Sequence, residues 1–104
     1  MELMPQKIRE SIPPLYTFDE SPADAVPIAV KFFTPDSNWT WYVTEFDGED
    51  QCFGFVRGFE GELGYFSLKE LESVSGPLGL AIERDLHCGV MTLQDVYDLH
   101  NYGV

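Results

Sequence analysis

Basic residues are scarce in this chain, and their scarcity excludes one large class of functions. Six Lys and Arg stand against 18 Asp and Glu among 104 residues, which gives a formal net charge of −12 at pH 7 with His neutral. Proteins that bind nucleic acids unaided need clustered Lys and Arg to displace phosphate counterions. We therefore expect no direct binding of nucleic acid.

Long apolar runs are absent, and cysteines are few. A helix that crosses a bilayer needs about 20 apolar residues, and no stretch of the sequence approaches that length. Residues 1–12 mix charged and apolar side chains, which is not the pattern of a signal peptide, so we expect a cytoplasmic protein without membrane contact. Cys52 and Cys88 are too few for a disulfide framework and too far apart for a CxxC redox pair.

Aromatic residues are plentiful by contrast. The chain has 8 Phe, 5 Tyr and 2 Trp, and 44% of it is hydrophobic. Burial of these groups offsets the entropy of ordering the chain, which excludes a disordered tail or linker. The length suits one domain, and we predict a single domain over residues 1–104.

The order of strand and helix signals predicts an α+β domain. We expect a small antiparallel β-meander of about 4–5 strands with two or three short helices packed on it. The predicted strands cover residues 26–33, 39–46, 51–57, 63–66 and 82–88, and the predicted helices cover 5–11, 67–76 and 92–100. The hairpin of 39–46 and 51–57 should form the centre of the sheet, and its aromatic residues should form the core.

Local residue types predict how several of these elements begin and end. Asp47-Gly48 suits a tight hairpin turn in which both positions have positive φ. Ser67 and Thr92 each precede an acidic residue by three positions, which is the spacing of a capping box. Gly76-Pro77 predicts the end of the helix that begins at Ser67.

Alternation along the central hairpin predicts apolar groups on both faces of the sheet. Successive side chains of a strand point to opposite faces, so even positions of the first strand share a face with odd positions of the second. One predicted face carries Thr40, Tyr42, Thr44, Phe46, Phe53, Phe55 and Arg57. The other predicted face carries Trp39, Trp41, Val43, Cys52, Gly54 and Val56. The interpretation we favour is that the helices and the N-terminal segment cover both faces. The alternative is that one face stays partly exposed and receives a partner, which a second copy of the chain could supply in a homodimer.

Acidic side chains concentrate between positions 45 and 62. The candidate partner-binding residues are Glu45, Asp47, Glu49, Asp50, Glu60 and Glu62. Together they would make one end of the sheet strongly negative, able to engage a basic protein or to imitate the phosphates of DNA. The alternative is that solvated turn residues keep an aromatic-rich protein soluble. In either case we expect charge reversal at Asp47, Glu49 and Asp50 to leave folding nearly unchanged.

The remaining reactive residues lack the spacing of a known site. Cys52, His87, Cys88 and His100 form no CxxC or HxxxH pair, so we predict neither a metal nor a cofactor, and no local signature supports a cysteine nucleophile. Arg84 lies between two acidic residues. It could clamp a carboxylate or phosphate, or form a surface ion pair.

Several segments resemble a family of small bacterial proteins of unknown function. They are KFFTP at 31–35, NWTWYVTEFDGED at 38–50, FGFVRG at 53–58, ELGYFSLKELE at 62–72, GPLGL at 76–80 and IERDL at 82–86. The resemblance covers nearly the whole chain. It implies a short single-domain protein of a kind found on bacterial chromosomes, plasmids, phages and integrative elements, and it implies no catalytic residues.

Two hypotheses of different class follow. The first is a non-enzymatic protein-binding module, of which an anti-defence or DNA-mimic inhibitor from a mobile element is one form. The second is a small enzyme or enzyme accessory subunit that uses Arg84 with nearby carboxylates. A convex surface with phosphate-like spacing of acids would favour the first, and a pocket that collects Arg84, a carboxylate and a histidine would favour the second.

Overall fold

A five-stranded antiparallel sheet organises the computed structural model, which describes residues 2–103. The strands are β1 (Val30–Phe33), β2 (Thr40–Phe46), β3 (Gln51–Arg57), β4 (Gly61–Ser67) and β5 (Glu83–Arg84). The helices are α1 (Gln6–Ser11), α2 (Leu68–Ser73) and α3 (Leu93–Leu99), with a 3₁₀ turn at Ala23–Ala25. Met1 and Val104, the ends of the predicted domain, lie outside the described residues. The predicted α+β class is confirmed.

The spatial order of the strands is β4-β3-β2-β1-β5, which puts β2 in the middle with β3 beside it. The hairpin predicted to be central is therefore central. Both outer strands differ in length from their predictions. β4 is longer because it pairs with β3 along its full length. β5 is only two residues long because the chain turns at Leu86 and His87, where the His87 N–H donates to Oδ1 of Asp85.

The first strand also begins later than predicted. Pro27 forms an isolated bridge with Thr92, and the N–H of Ile28 donates to the carbonyl of Met91. Residues 26–28 thus pair with the start of α3 instead of extending β1, because Pro27 has no N–H to give to a sheet ladder.

The helix α2 ends at Ser73, before the Gly76-Pro77 stop that the sequence predicts. Ser75 instead forms a bridge with Ala81, and Gly76 and Leu80 close a turn between them. The carboxylate of Asp36 holds this turn by accepting the N–H of Leu78 at 2.7 Å. Asp36 lies about 40 residues away in the sequence, so local signals could not predict this turn.

A β-bulge interrupts the ladder between β2 and β3. Val43 pairs with Gly54 as parity predicts, but Glu45 then pairs with Phe53, so Thr44 is an extra residue. Beyond the bulge every side chain of β2 changes face. Phe46, predicted on the face of Tyr42, therefore packs with Trp41 on the opposite face, and that part of the prediction is wrong.

Both faces of the sheet are buried, which confirms the interpretation we favour. The first face carries Trp41, Val43, Phe46 and Cys52 and is covered by the N-terminal segment and α2; its buried members also include Leu3, Met4, Ile12, Val30, Phe32, Leu68, Leu71 and Ile82. The second face carries Tyr42 and Phe55 and is covered by α3, the 3₁₀ turn and neighbouring residues; its buried members also include Val26, Leu93 and Val96.

Candidate functional site

The candidate acidic residues do not gather at one end of the sheet. The turn with Asp47, Glu49 and Asp50 precedes β3, and the turn with Glu60 follows it, next to Glu62 at the start of β4. Seven residues of strand separate these turns, a distance of about 20 Å at the usual rise per residue. The expectation of a single negative end is therefore wrong, because the chain reverses at opposite ends of β3.

Asp47 organises the first of these turns through its side chain. Its Oδ1 accepts the N–H groups of Glu49, Asp50 and Gln51 at 2.8, 2.8 and 3.0 Å. Partial desolvation opposes the effect, but these three donors lower the pKa of Asp47 below its ordinary value. Only Gly48 has positive φ in the turn, at 90°, so the predicted two-residue primed turn is replaced by a longer, side-chain-bonded one.

Asp50 ties this turn to the start of α2. Its Oδ2 accepts the hydroxyl of Ser67 at 2.6 Å, and its Oδ1 accepts the N–H of Lys69 at 2.7 Å. The Ser67 and Lys69 donors lower the pKa of Asp50. Charge reversal at Asp47 or Asp50 would break these bonds, so the structure leads us to expect that it destabilises the fold, in contrast to the expectation from the sequence. Glu49 is exposed.

Glu45 is buried, which contradicts its prediction as a surface residue. It is 4% exposed because the bulge turns it onto the second face, beneath the loop that follows Pro14. Its two carboxylate oxygens accept the N–H of Tyr16 at 2.9 Å and the N–H of Phe18 at 2.8 Å. Tyr16 has φ of 72°, a left-handed conformation unusual for a tyrosine.

Glu45 also lines a cavity of about 210 Å³ on the second face, which we call the bulge cavity. Its apolar walls are Phe18, Ala23, Val26, Phe53, Leu63, Leu93 and Tyr97, and its polar lining is Asp19, Ser21, Thr44 and Glu45. Asp19, Ser21 and Leu63 are exposed and mark its mouth. The bulge that brings Thr44 and Glu45 to this cavity has no signal in position parity, so sequence reasoning missed the site.

The outer edge of β4 is free of partners among the described residues. The N–H of Leu68 donates to the carbonyl of Asp50, and the N–H of Gly58 donates to the carbonyl of Glu60. Because hydrogen-bonded pairs alternate along an antiparallel ladder, the even-numbered residues of β4 are the ones that bond to β3. The N–H and C=O groups of Leu63 and Tyr65 therefore point outward. Their side chains are 40% and 50% exposed.

Natural edge strands are protected by Pro, by charged side chains and above all Lys, by bulges or by short length. The strand β4 (GELGYFS) has seven residues, no Pro, no Lys and an unbroken register with β3. Its one charged side chain is Glu62. The outward N–H and C=O groups of Leu63 and Tyr65 therefore have no backbone partner among the hydrogen bonds of residues 2–103.

Acidic grooves border both ends of this edge. The groove beside the Ser67 end has a volume of about 480 Å³ and is lined by Asp47, Asp50 and Glu70 together with Gln51, Tyr65, Phe66 and Ser67. The groove beside the Gly61 end has a volume of about 240 Å³ and is lined by Glu60 and Glu62 together with Trp39, Val56, Gly58 and Phe59. Five of the six predicted acids therefore lie at or near the two ends of β4.

Arg84 holds the N-terminal segment. Its Nη1 donates to the carbonyls of Glu2 and Leu3 at 2.9 and 3.0 Å. The neighbouring Asp85 faces other partners: its Oδ2 lies 3.4 Å from Nζ of Lys31, and its Oδ1 accepts the N–H of His87. Arg84 and Asp85 thus make separate structural contacts.

The cysteines and histidines are dispersed. Burial raises the pKa of Cys52 to about 12, and Cys88 contacts the sulfur of Met91 at 3.6 Å. His100 Nε2 lies 2.9 Å from the hydroxyl of Tyr42, and its pKa is lowered by burial and then by nearby positive charge. Within residues 2–103, no three His, Cys, Asp or Glu side chains are arranged to hold a metal ion.

A family model described as "Protein of unknown function (DUF2958)" matches residues 3–98. The chain belongs to this family. The match spans all five strands, and it confirms the resemblance to a family of unknown function. No curated protein and no solved structure matches the chain. Within residues 2–103 of this DUF2958 protein, no helix is long and apolar enough to cross a membrane.

Proposed function

We propose that this DUF2958 protein is a non-enzymatic protein-binding module that pairs an extended, cationic segment of a partner with the free edge of β4. The observation that carries the proposal is the outward-facing backbone of Leu63 and Tyr65 on a regular strand that has no Pro, Lys or bulge. Main-chain hydrogen bonds supply affinity when a peptide adds to such an edge, and flanking side chains supply specificity.

The charge of the partner is inferred from the two acidic grooves. Glu60 and Glu62 border one end of β4, and Asp47, Asp50 and Glu70 border the other. A bound strand of about seven residues would span the roughly 20 Å between them. Lys or Arg near each end of that segment would meet opposite charge, and the net charge of −12 would speed the encounter.

A second copy of the chain suits this edge less well. Antiparallel self-pairing would bring the end with Glu60 and Glu62 against the end with Asp47 and Glu70 of the other copy. Like charges placed together across an interface are unfavourable, and each chain carries −12. A homodimer through β4 is therefore an outcome that the test must separate from our proposal.

Inhibition of a host protein is one use of such a module. Proteins that handle nucleic acids carry basic segments, which suits the anti-defence hypothesis. The contact that we propose is a paired strand and not imitation of phosphates, since Glu45 is buried and the other acids divide between two ends. The enzyme hypothesis receives no support from Arg84, which holds the N-terminal segment.

The test is an NMR titration of the ¹⁵N-labelled protein with a blocked seven-residue peptide that alternates valine and lysine. We expect saturable shifts of the Leu63 and Tyr65 amides, with affinity that falls as salt screens the charges. A peptide with the same charge and an N-methyl group on every backbone amide has no N–H donor at either edge, so it cannot pair and should bind weakly. Equal binding of both peptides would contradict strand pairing.

Matched variants test the edge itself. Leu63→Pro removes one outward N–H without removing a bond to β3, and Leu63→Ala keeps that N–H. We expect only the proline variant to lose strand-specific binding. A dimer that forms without peptide and protects the same amides would assign the edge to a second copy and overturn the proposal.

A charge pair of variants tests the grooves. Glu60→Gln with Glu62→Gln should weaken binding roughly twofold to tenfold, as expected for exposed ion pairs. Glu2→Gln with Glu83→Gln removes the same charge from exposed sites beside β5, at the opposite edge of the sheet, and is the control. An equal loss of peptide affinity in both double variants would mean that net charge, and not the groove at the Gly61 end, attracts the peptide.

A further inference from the structure

The bulge cavity contains a buried carboxylate and apolar walls, a combination that the strand-pairing proposal does not use. Glu45 is 4% exposed, and no Lys or Arg within residues 2–103 forms an ion pair with it. Its two backbone bonds occupy about half of the roughly four acceptor positions of a carboxylate. Acceptor capacity therefore remains on a group that lines the cavity.

We infer that the bulge cavity binds a small organic cation: a primary ammonium or guanidinium group on a short alkyl chain. The cationic group would pair with Glu45, and the alkyl chain would lie against Phe53 and Leu93. Asp19 at the mouth adds a second negative charge. A buried carboxylate without a cation is costly, and such a ligand would offset that cost.

The volume of the cavity sets the size of the ligand. A space of about 210 Å³ is below the range of sites for drug-sized molecules, which begins at about 300 Å³. The ligand is therefore smaller than a drug-sized molecule, which a short alkyl chain with one cationic group satisfies.

The local backbone supports a built site. Bulges commonly re-aim a side chain beside a functional site, and the bulge at Thr44 is what turns Glu45 to this face. Glu45 in turn holds the amide of Tyr16, whose φ of 72° is a sparsely populated conformation for a non-glycine residue. Both features converge on the same carboxylate.

The occupant is a small molecule and not a side chain of the strand proposed to pair with β4. An added strand would lie three strand spacings from β2, about 14 Å, which exceeds the reach of Lys or Arg. The inference therefore goes beyond the proposed function, and either proposal can fail without the other.

The test is an NMR titration with n-butylguanidinium, with n-butylurea as a neutral molecule of the same shape. We expect saturable shifts at Phe53 and Thr44 and an affinity about tenfold higher for the cation, because the guanidinium adds an ion pair to the hydrogen bonds that both molecules can donate to the Glu45 carboxylate. Equal affinities, or no saturation by the cation at tens of millimolar, would overturn the inference. Tighter binding of blocked arginine would assign the site to a protein side chain and overturn the small-molecule assignment.

Two cavity variants keep the test independent of the Glu45 loop contacts. Ala23→Leu fills the cavity from the 3₁₀ turn, whereas Ala25→Leu adds the same side chain at an exposed position of that turn. We expect the first to abolish binding and the second to leave it unchanged, with both folded. Binding retained by Ala23→Leu would overturn the location of the site. Glu45→Gln should reduce the preference for n-butylguanidinium over n-butylurea to near unity.

Discussion

Glu45 lies opposite Phe53 in the central ladder, one position out of step with the pair that Val43 makes with Gly54. The extra residue, Thr44, donates its hydroxyl to the carbonyl of Phe53 at 3.1 Å. This one-residue shift moves Phe46 to the first face and Glu45 to the second. The bulge therefore places Phe46 in the core of the first face and the Glu45 carboxylate in the interior of the second face.

Removal of the Glu45 carboxylate should loosen the loop above it. Glu45→Ala leaves the N–H groups of Tyr16 and Phe18 without their acceptor, at a cost of about 1–3 kcal/mol in the free energy of unfolding. Urea denaturation measures the cost. Glu20→Ala, at an exposed position of the same region, should change stability by less than about 0.5 kcal/mol. Wild-type stability in Glu45→Ala would mean that water replaces the carboxylate.

Two glycines that face each other across β3 and β4 should respond in opposite ways to alanine. A Cβ at Gly54 would overlap the carbonyl oxygen of Tyr42, whereas a Cβ at Gly64 would meet no atom within 4 Å. We expect Gly54→Ala to cost about 1–3 kcal/mol or more by forcing β2 and β3 apart. Gly64→Ala should be neutral or stabilise the protein by up to about 1 kcal/mol. Thermal unfolding of the pair checks this, and equal melting temperatures would contradict it.

Trp41 anchors the first face and stacks on Trp39 with ring centroids 6.0 Å apart. Trp41→Ala should cost on the order of 3–5 kcal/mol through lost burial and the cavity left behind. Chemical denaturation followed by circular dichroism measures the cost. Val90→Ala, at a fully exposed position, is the control and should stay near wild type. Retention of wild-type stability by Trp41→Ala would show that Trp41 is a surface contact.

The Asp47 turn should make stability sensitive to acid. Its pKa is lower in the folded chain than its ordinary value of 3.8, so the unfolded chain takes up a proton first as pH falls. The contribution of Asp47 is complete above that ordinary value and is lost as pH falls through the lower, folded pKa. We therefore expect the free energy of unfolding, measured by urea denaturation between about pH 2 and pH 6, to depend less on pH in Asp47→Asn than in the wild type.

The comparison of Asn with Ala separates charge from hydrogen bonding at Asp47. An amide oxygen can still accept the three backbone N–H groups, so Asp47→Asn should keep most of the stability at neutral pH. Asp47→Ala loses those bonds and should melt at a lower temperature at every pH. An unchanged pH slope in the Asn variant would assign the acid sensitivity to Asp50 and Asp85, whose pKa values are lowered in the same direction.

Local chemistry in the sequence determined the parts of this fold that depend on neighbours along the chain. The β-branched and aromatic run at 39–46 and its partner at 51–57 form the central strands, since such side chains fill a sheet buried on both faces. Ser67 and Thr92 cap their helices through hydrogen bonds that span only three residues. Because these interactions join residues close together in the chain, the local sequence is enough to predict them.

Only the tertiary structure decided where the acidic residues went and what they do. The burial of Glu45 depends on a bulge and on backbone donors almost 30 residues away in the chain. The separation of Asp47 from Glu60 depends on the length of β3, and the capping role of Asp50 depends on α2 arriving beside it. Carboxylates are stabilised by whichever hydrogen-bond donors the fold brings to them. Composition and spacing therefore show how many carboxylates there are, but not what surrounds each one.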